Sequence, residues 1–265
     1  MLSSLLLYLC IGAVAGVLAG LLGVGGGLVI VPMVTYSFVL QGIESGVTHK
    51  IALATSLATI MFTSISSFMA HHRNGAVLWS VFKTITPGIL IGTFVGTKVV
   101  TLIPDTPLKI FFIVFLYYTA SQMFLNMKPK ASRHIPGPLG NSAAGGVIGA
   151  VSSLVGIGGG TLSVPYMTWC NVPIHKAIGT SAAIGFPIAV AGALGNVING
   201  WGLSDIPYSL GLIYMPALVG IAAASVMTAP FGARLAHKLP IGKLKKIFAC
   251  LLITVATQML YELVK

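Results

Sequence analysis

The chain has 265 residues, 56% of them hydrophobic and 7% charged, with a mean hydropathy of +0.97; a soluble domain carries about 25% charged residues, so a water-covered globule is excluded. The net charge of +11 arises from 15 Lys and Arg against 4 Asp and Glu. Those basic residues sit between apolar segments, which points to a membrane face and away from nucleic acid as a partner.

The first apolar segment, about 3–22, lacks a basic leader region and is read as structural, not as a cleaved signal. Gly20-Leu-Leu-Gly-Val-Gly-Gly-Gly27 follows and opens a short apolar run over 27–40 that carries Pro32. Three longer segments come next, at about 51–70, 77–98 and 107–126. Several of these approach the ~20 residues that span a bilayer.

After the basic, proline-bearing stretch Lys128 to Pro138 the pattern begins again. Segments at about 139–155, 160–171, 177–197, 207–233 and 244–263 follow. Gly23, Gly25, Gly26, Gly27 and Pro32 recur as Gly156, Gly158, Gly159, Gly160 and Pro165, at an offset of 133. Thr55-Ser56 recurs as Thr180-Ser181, and Asn74-Gly75 as Asn199-Gly200, at an offset of 125. Gly96, Pro104 and Gln122 align with Gly232, Pro240 and Gln258 at an offset of 136.

The expected fold is therefore an all-α polytopic membrane protein made of two repeats of about five helical segments each. The repeats cover residues 1–127 and 139–265, and residues 128–138 form a cytoplasmic linker. The second segment of each copy is too short for an ordinary crossing and contains a proline, which predicts a broken or re-entrant helix. Non-helical backbone is tolerated at membrane depth only where protein buries it or water lines it.

An odd number of crossings per copy makes the two repeats inverted. Loops 71–79, 128–138, 171–176 and 234–246 then share one side and hold ten basic residues against four on the other: Lys50, Lys98, Lys109 and Lys265. The positive side is expected to be cytoplasmic, with both termini outside a cell (inner) membrane.

The glycine loop is not a nucleotide site. A dinucleotide fingerprint needs a strand before it and a helix after it, whereas a bilayer-length apolar segment precedes this one, and a Walker Gly-Lys-Ser/Thr is missing. Two readings of the glycines remain: close helix packing, or a turn whose backbone N–H groups and helix dipole attract an anion. In the second reading the loops of the two copies meet and frame one substrate site.

Thr55, Ser56, Thr180 and Ser181 are candidate hydroxyl donors to such an anion, and Asn196 is a weaker one. The competing reading is that these hydroxyls bond back to helix carbonyls. His49-Lys50 and His175-Lys176 begin the Thr-Ser segments and are candidates for gating or proton linkage, or for interfacial contact with headgroups. Trp79, Trp169 and Trp201 read as interface anchors.

The acidic residues Glu44, Asp105, Asp205 and Glu262 fall in loops or near the C-terminus. A buried carboxylate relay and a cation cage are thus not expected. Cys10, Cys170 and Cys250 have no metal-type or CxxC spacing. No cofactor, metal or enzymatic constellation is anticipated, and glycine-rich lipid-facing segments permit a homodimer.

The paired GVGGGxxxxP and GIGGGxxxxP loops, each followed by an Ala-x-[Ala/Gly]-Thr-Ser segment, resemble the TauE/SafE family of membrane permeases, also called the sulfite exporter family. The stretch His175 to Asn196 is particularly similar. The first copy departs from the second in having Ala54 where Gly179 stands, and eight more residues between loop and Thr-Ser pair. The resemblance implies transport of small anions, sulfur compounds such as sulfite and organosulfonates above all, with substrate and direction open. An anion channel, and an uptake permease for another organic anion, are the alternatives.

Overall fold

The computed structural model describes residues 2–23, 25–43, 46–125, 132–236 and 241–264. Glu44, Lys128, Lys130, Lys238 and Lys265 lie outside these. Each expected segment is a helix. The first copy gives α1 (Leu2–Leu22), α2 (Gly27–Leu40), α3 (Thr48–Arg73), α4 (Trp79–Leu102) and α5 (Asp105–Phe124). The second gives α6 (Pro138–Val155), α7 (Gly160–Trp169), α8 (Ile174–Asn199), α9 (Met215–Ala236) and α10 (Ile241–Val264). Seven are long and apolar enough to cross a membrane, whereas α2 has 14 residues and α7 has 10.

Two boundaries differ from the sequence reading. Asp105, expected in a loop, is the first residue of α5. The fourth segment of the second copy starts late, because residues before it form a hairpin of β1 (Ser209–Leu210) and β2 (Ile213–Tyr214), with Gly211 at φ 58° in its turn. That hairpin occupies the residues by which the offset grows from 125 to 136.

α1 and α2 fold back on one another as a hairpin with its open end held by side chains. Gln41 Nε2 donates to Tyr8 Oη at 2.9 Å, which also lies 3.2 Å from Ser37 Oγ. α6 and α7 form the matching hairpin: Trp169 Nε1 donates to Ser132 Oγ at 3.0 Å, and Tyr166 Oη to Asn141 Oδ1 at 2.8 Å. The open end of the first lies by Tyr214, whose amide reaches Thr55 near the start of α3. The open end of the second lies by Val81 and Thr84, at the start of α4. Since α4 starts beside the end of α3, the hairpins enter from opposite ends of the bundle.

α3 and α8 are the inner pair, with 72% and 83% of their spanning windows buried. The outer helices exchange partners between copies: α1 packs along α9, α4 along α6, and α5 along α10. Small residues make the first two seams close. Gly12, Gly16 and Gly20 of α1 face the backbone of Ile221, Ser225 and Ala229 on α9, and Gly88 and Gly92 of α4 face Ser142 and Gly146 on α6. In lipid, where apolar burial does not favour one helix neighbour over another, such contact supplies the association energy.

A side chain in either seam is expected to wedge the helices apart. Gly16→Leu and Gly92→Leu should each lower stability by roughly 3 kcal/mol or more, read as loss of the folded protein on heating in detergent. Gly46→Ala, where no heavy atom lies within 4 Å, should unfold like the wild type.

Candidate functional site

The glycine loops are the tips of the two hairpins, and the tips meet. Gly26 and Gly159, immediately before α2 and α7, have φ of 78° and 77°, backbone that an L side chain rarely adopts. A Cβ at Gly25 would lie 3.1 Å from the Gly158 Cα, and one at Gly27 would strike the Gly156 carbonyl. The first amides of α2 and α7 have no partner within their own helices, as at any helix start. Inside the helices Pro32 and Pro165 each remove an i→i−4 bond, which interrupts the ladder a second time.

The Thr-Ser pairs stand around these tips in four symmetric hydrogen bonds that cross between the copies. Ser56 Oγ donates to the Gly156 carbonyl at 2.7 Å, and Ser181 Oγ to the Gly23 carbonyl at 3.1 Å. Thr55 Oγ1 accepts from the Tyr214 amide at 3.0 Å, and Thr180 Oγ1 from the Leu78 amide at 2.9 Å. All four side chains are fully buried. Because Ser181 spends its proton on Gly23, Ser163 Oγ, 2.8 Å away, donates to Ser181. In this state the hydroxyls therefore satisfy broken backbone, and Ser181 also lines the space between the tips.

That space is a small cavity walled by Ala19, Gly23, Gly25, Gly158, Ser181, Ala182, Gly185 and three α3 residues, Thr63, Ser64 and Ser67. It leaves about 10 Å³ for the centre of a water-sized sphere, the room of a single water. That room is too small for an anion of several heavy atoms unless the walls part. The α3 hydroxyls were not singled out from the sequence. The first copy shows them, but Ile188, Ala189 and Gly192 stand at the matching positions of the second, so the repeat does not mark them.

The remaining candidates lie elsewhere. Asn196 is buried, with its amide donating to the Gly192 carbonyl at 2.8 Å, away from the tips. Pro32 borders a separate hollow of about 240 Å³ between α2 and α10, with Glu262 on its rim. A larger hollow of about 500 Å³ opens among Tyr8, Gln41, Tyr208 and Tyr214.

The two His-Lys pairs have different surroundings. His175 and Lys176 are exposed, but His49 is 1% exposed and packs edge-on to Phe112 at 5.3 Å. Its own amide and that of Lys50 donate to the two oxygens of Asp105, each at 3.1 Å. Lys50 Nζ donates to the Thr101 carbonyl at 3.2 Å. The Asp105 carboxylate thus closes the N-terminus of α3, where negative charge is favoured. Position 241, its counterpart in the second copy, is Ile, so the first copy alone has this arrangement. Cys170 is a free, buried thiol, and burial pushes its pKa up. Among the described residues no group of three or more His, Cys, Asp or Glu is placed to hold a metal.

Removing a cross-copy acceptor leaves a buried amide unpaired. Thr55→Val and Thr180→Val should each cost about 1–3 kcal/mol, measured as earlier unfolding in detergent. Asp105→Ala should cost ~1 kcal/mol through the lost cap; a wild-type unfolding curve for that variant would contradict the carboxylate's role.

Comparison with known proteins agrees with this architecture. The pattern of the family described as "Sulfite exporter TauE/SafE" matches residues 8–259. A "Probable membrane transporter protein" of Haemophilus influenzae is 39% identical over 98% of this chain and 99% of its own. One from Methanocaldococcus jannaschii is 27% identical over 88% of this chain and 86% of its own, and YunE of Bacillus subtilis is 27% identical over 98% of each. No solved structure matches the chain. With ten helices among the described residues, seven of them long and apolar enough to cross a membrane, and a family pattern that covers nearly its whole length, the chain belongs to the TauE/SafE sulfite exporter family of membrane transporters.

Proposed function

We propose that the protein moves small anions, sulfur oxyanions such as sulfite or organosulfonates foremost, across the cell (inner) membrane by alternating access. The observation that carries this reading is the meeting of the two glycine tips at one small cavity lined by the hydroxyls of Thr63, Ser64, Ser67 and Ser181. Each tip begins a half-helix, so backbone donors and two positive helix ends converge there. Oxyanions are held well by such donors without a counter-charge in lipid. Broken helices that converge on one central site are the usual plan of repeat-built transporters.

The charge pattern supports the same substrate sign. None of the cavity-lining residues is acidic, and Asp105 is engaged at the start of α3. Entry of the two hairpins from opposite ends supports inverted copies, and the basic loops then mark the cytoplasmic side. Alternating access follows if one hairpin tip and its helix partners rock against the other around the cavity. The membrane potential favours outward movement of an anion by ~2.3 kcal/mol per charge per 100 mV, which suits export.

The test is flux of labelled sulfite into proteoliposomes, with and without a pH gradient, against a panel of competing anions. Saturable flux blocked by related sulfur oxyanions is expected. Flux that rises linearly with concentration would favour a channel. No flux of sulfite or of any competitor by folded protein would remove the anion-carrier reading.

A further inference from the structure

The strongest unassigned feature is the third wall of the central cavity. Thr63, Ser64 and Ser67 sit on one face of α3, and His71 continues that face one turn further on. Thr63 Oγ1 lies 2.6 Å from Ser225 Oγ, and Ser64 Oγ donates to the Met61 carbonyl at 3.2 Å. Ser67 differs. Its hydroxyl is buried, with the residue 2% exposed, lines the cavity, and makes no hydrogen bond among the described residues. A buried hydroxyl without a partner costs about 1–3 kcal/mol, so its place beside two helix starts calls for a ligand.

We propose that Ser67 is the side-chain donor of the anion seat, and that the α3 face from Ser64 to His71 is the lane by which the anion reaches one side of the membrane. This rests on the transport reading above and assigns the donor role to a residue outside the repeated Thr-Ser pairs. Those pairs are committed to backbone, whereas the Ser67 proton is available. The hydroxyl would give one hydrogen bond to an oxyanion oxygen while the tip amides of the hairpins hold the others.

The lane is polar on one side only. Matching positions on α8 are Ile188, Ala189 and Gly192, so the opposite half offers an anion no side-chain donors until Asn196. The α3 lane ends at His71, whose Nε2 donates to the Gly20 carbonyl at 3.1 Å, tying the helix end to the last turn of α1 just before the first tip. His72 and Arg73 follow at once, so the lane opens towards positive charge. The substrate class that fits is a compact oxyanion with several equivalent oxygens.

Three variants test this in sulfite-loaded proteoliposomes. Ser67→Ala should raise the KM for sulfite about tenfold, the size expected for one lost hydrogen bond to a charged group, with no loss of thermal stability because no protein partner is orphaned. Ser66→Ala should leave KM unchanged, since Ser66 bonds the Val226 carbonyl outside the cavity. Gly185→Ala places a Cβ 3.3 Å from the Gly158 carbonyl oxygen and 3.6 Å from the Ser64 Cβ. It should narrow the seat and cut flux at least tenfold while the protein stays folded. Sulfite carried by wild type with equal KM in Ser67→Ala, or with equal flux in Gly185→Ala, would overturn the seat and leave the transport reading standing. Wild type that carries neither sulfite nor a competitor would overturn both.

Discussion

Backbone that leaves a helix inside a bilayer has no water to bond, and each unpaired polar group there costs several kcal/mol. Two hairpin tips in this protein leave their helices inside the helix bundle, and the rest of the structure follows from how they are satisfied. Ser56 reaches the Gly156 carbonyl and Ser181 the Gly23 carbonyl, so each copy completes the broken backbone of the other. Thr55 and Thr180 do the same for the amides just before α9 and α4. The Gly23 and Gly156 carbonyls are each closed by a serine of the other half. The exchange of outer helices, α1 onto α9 and α4 onto α6, is the packing counterpart of that dependence.

The long apolar runs of the chain made the helices legible, and the offsets between matching residues made the pairing of tips legible. Glycines and prolines mark broken helices in sequence because each has a fixed backbone consequence. The Thr-Ser pairs were legible as important but not in their present use. A buried hydroxyl bonds whatever polar group faces it, and a sequence does not say whether that group is an anion or a carbonyl 100 residues away. Asp105 was hidden for a similar reason: it caps a helix that begins 57 residues earlier in the chain, at a contact no local motif encodes. The hydroxyls of Ser64 and Ser67 escaped because recurrence was the guide, and they do not recur. The hairpin of Ser209–Leu210 and Ile213–Tyr214 was read as helix because its residues are apolar and adjoin a long apolar run.

Symmetry and its breaches do different work. What is shared between the copies builds the scaffold: tips, cross-copy bonds and glycine seams. What differs is placed where a substrate and its sidedness would be decided. One copy has a polar face on α3, a buried His49 and the Asp105 cap, and the other has an apolar face on α8 and the exposed pair His175 and Lys176. Under the proposed alternating access, a symmetric scaffold would make two orientations nearly equal in energy, and asymmetric linings would let the substrate favour one of them.

The cross-copy bonds also say where such a hinge yields. A tip that withdraws must break its serine–carbonyl bond, and the cost depends on what the serine holds afterwards. Ser56 bonds the Gly156 carbonyl alone at 2.7 Å, so parting them strands a hydroxyl and a carbonyl together. Ser181 bonds the Gly23 carbonyl at a longer 3.1 Å and keeps Ser163 as a neighbour 2.8 Å away, so its hydroxyl turns to that partner when Gly23 leaves. Ser181 also faces the cavity, whereas Ser56 is not among its lining residues. By these bonds the first hairpin tip is the cheaper one to move.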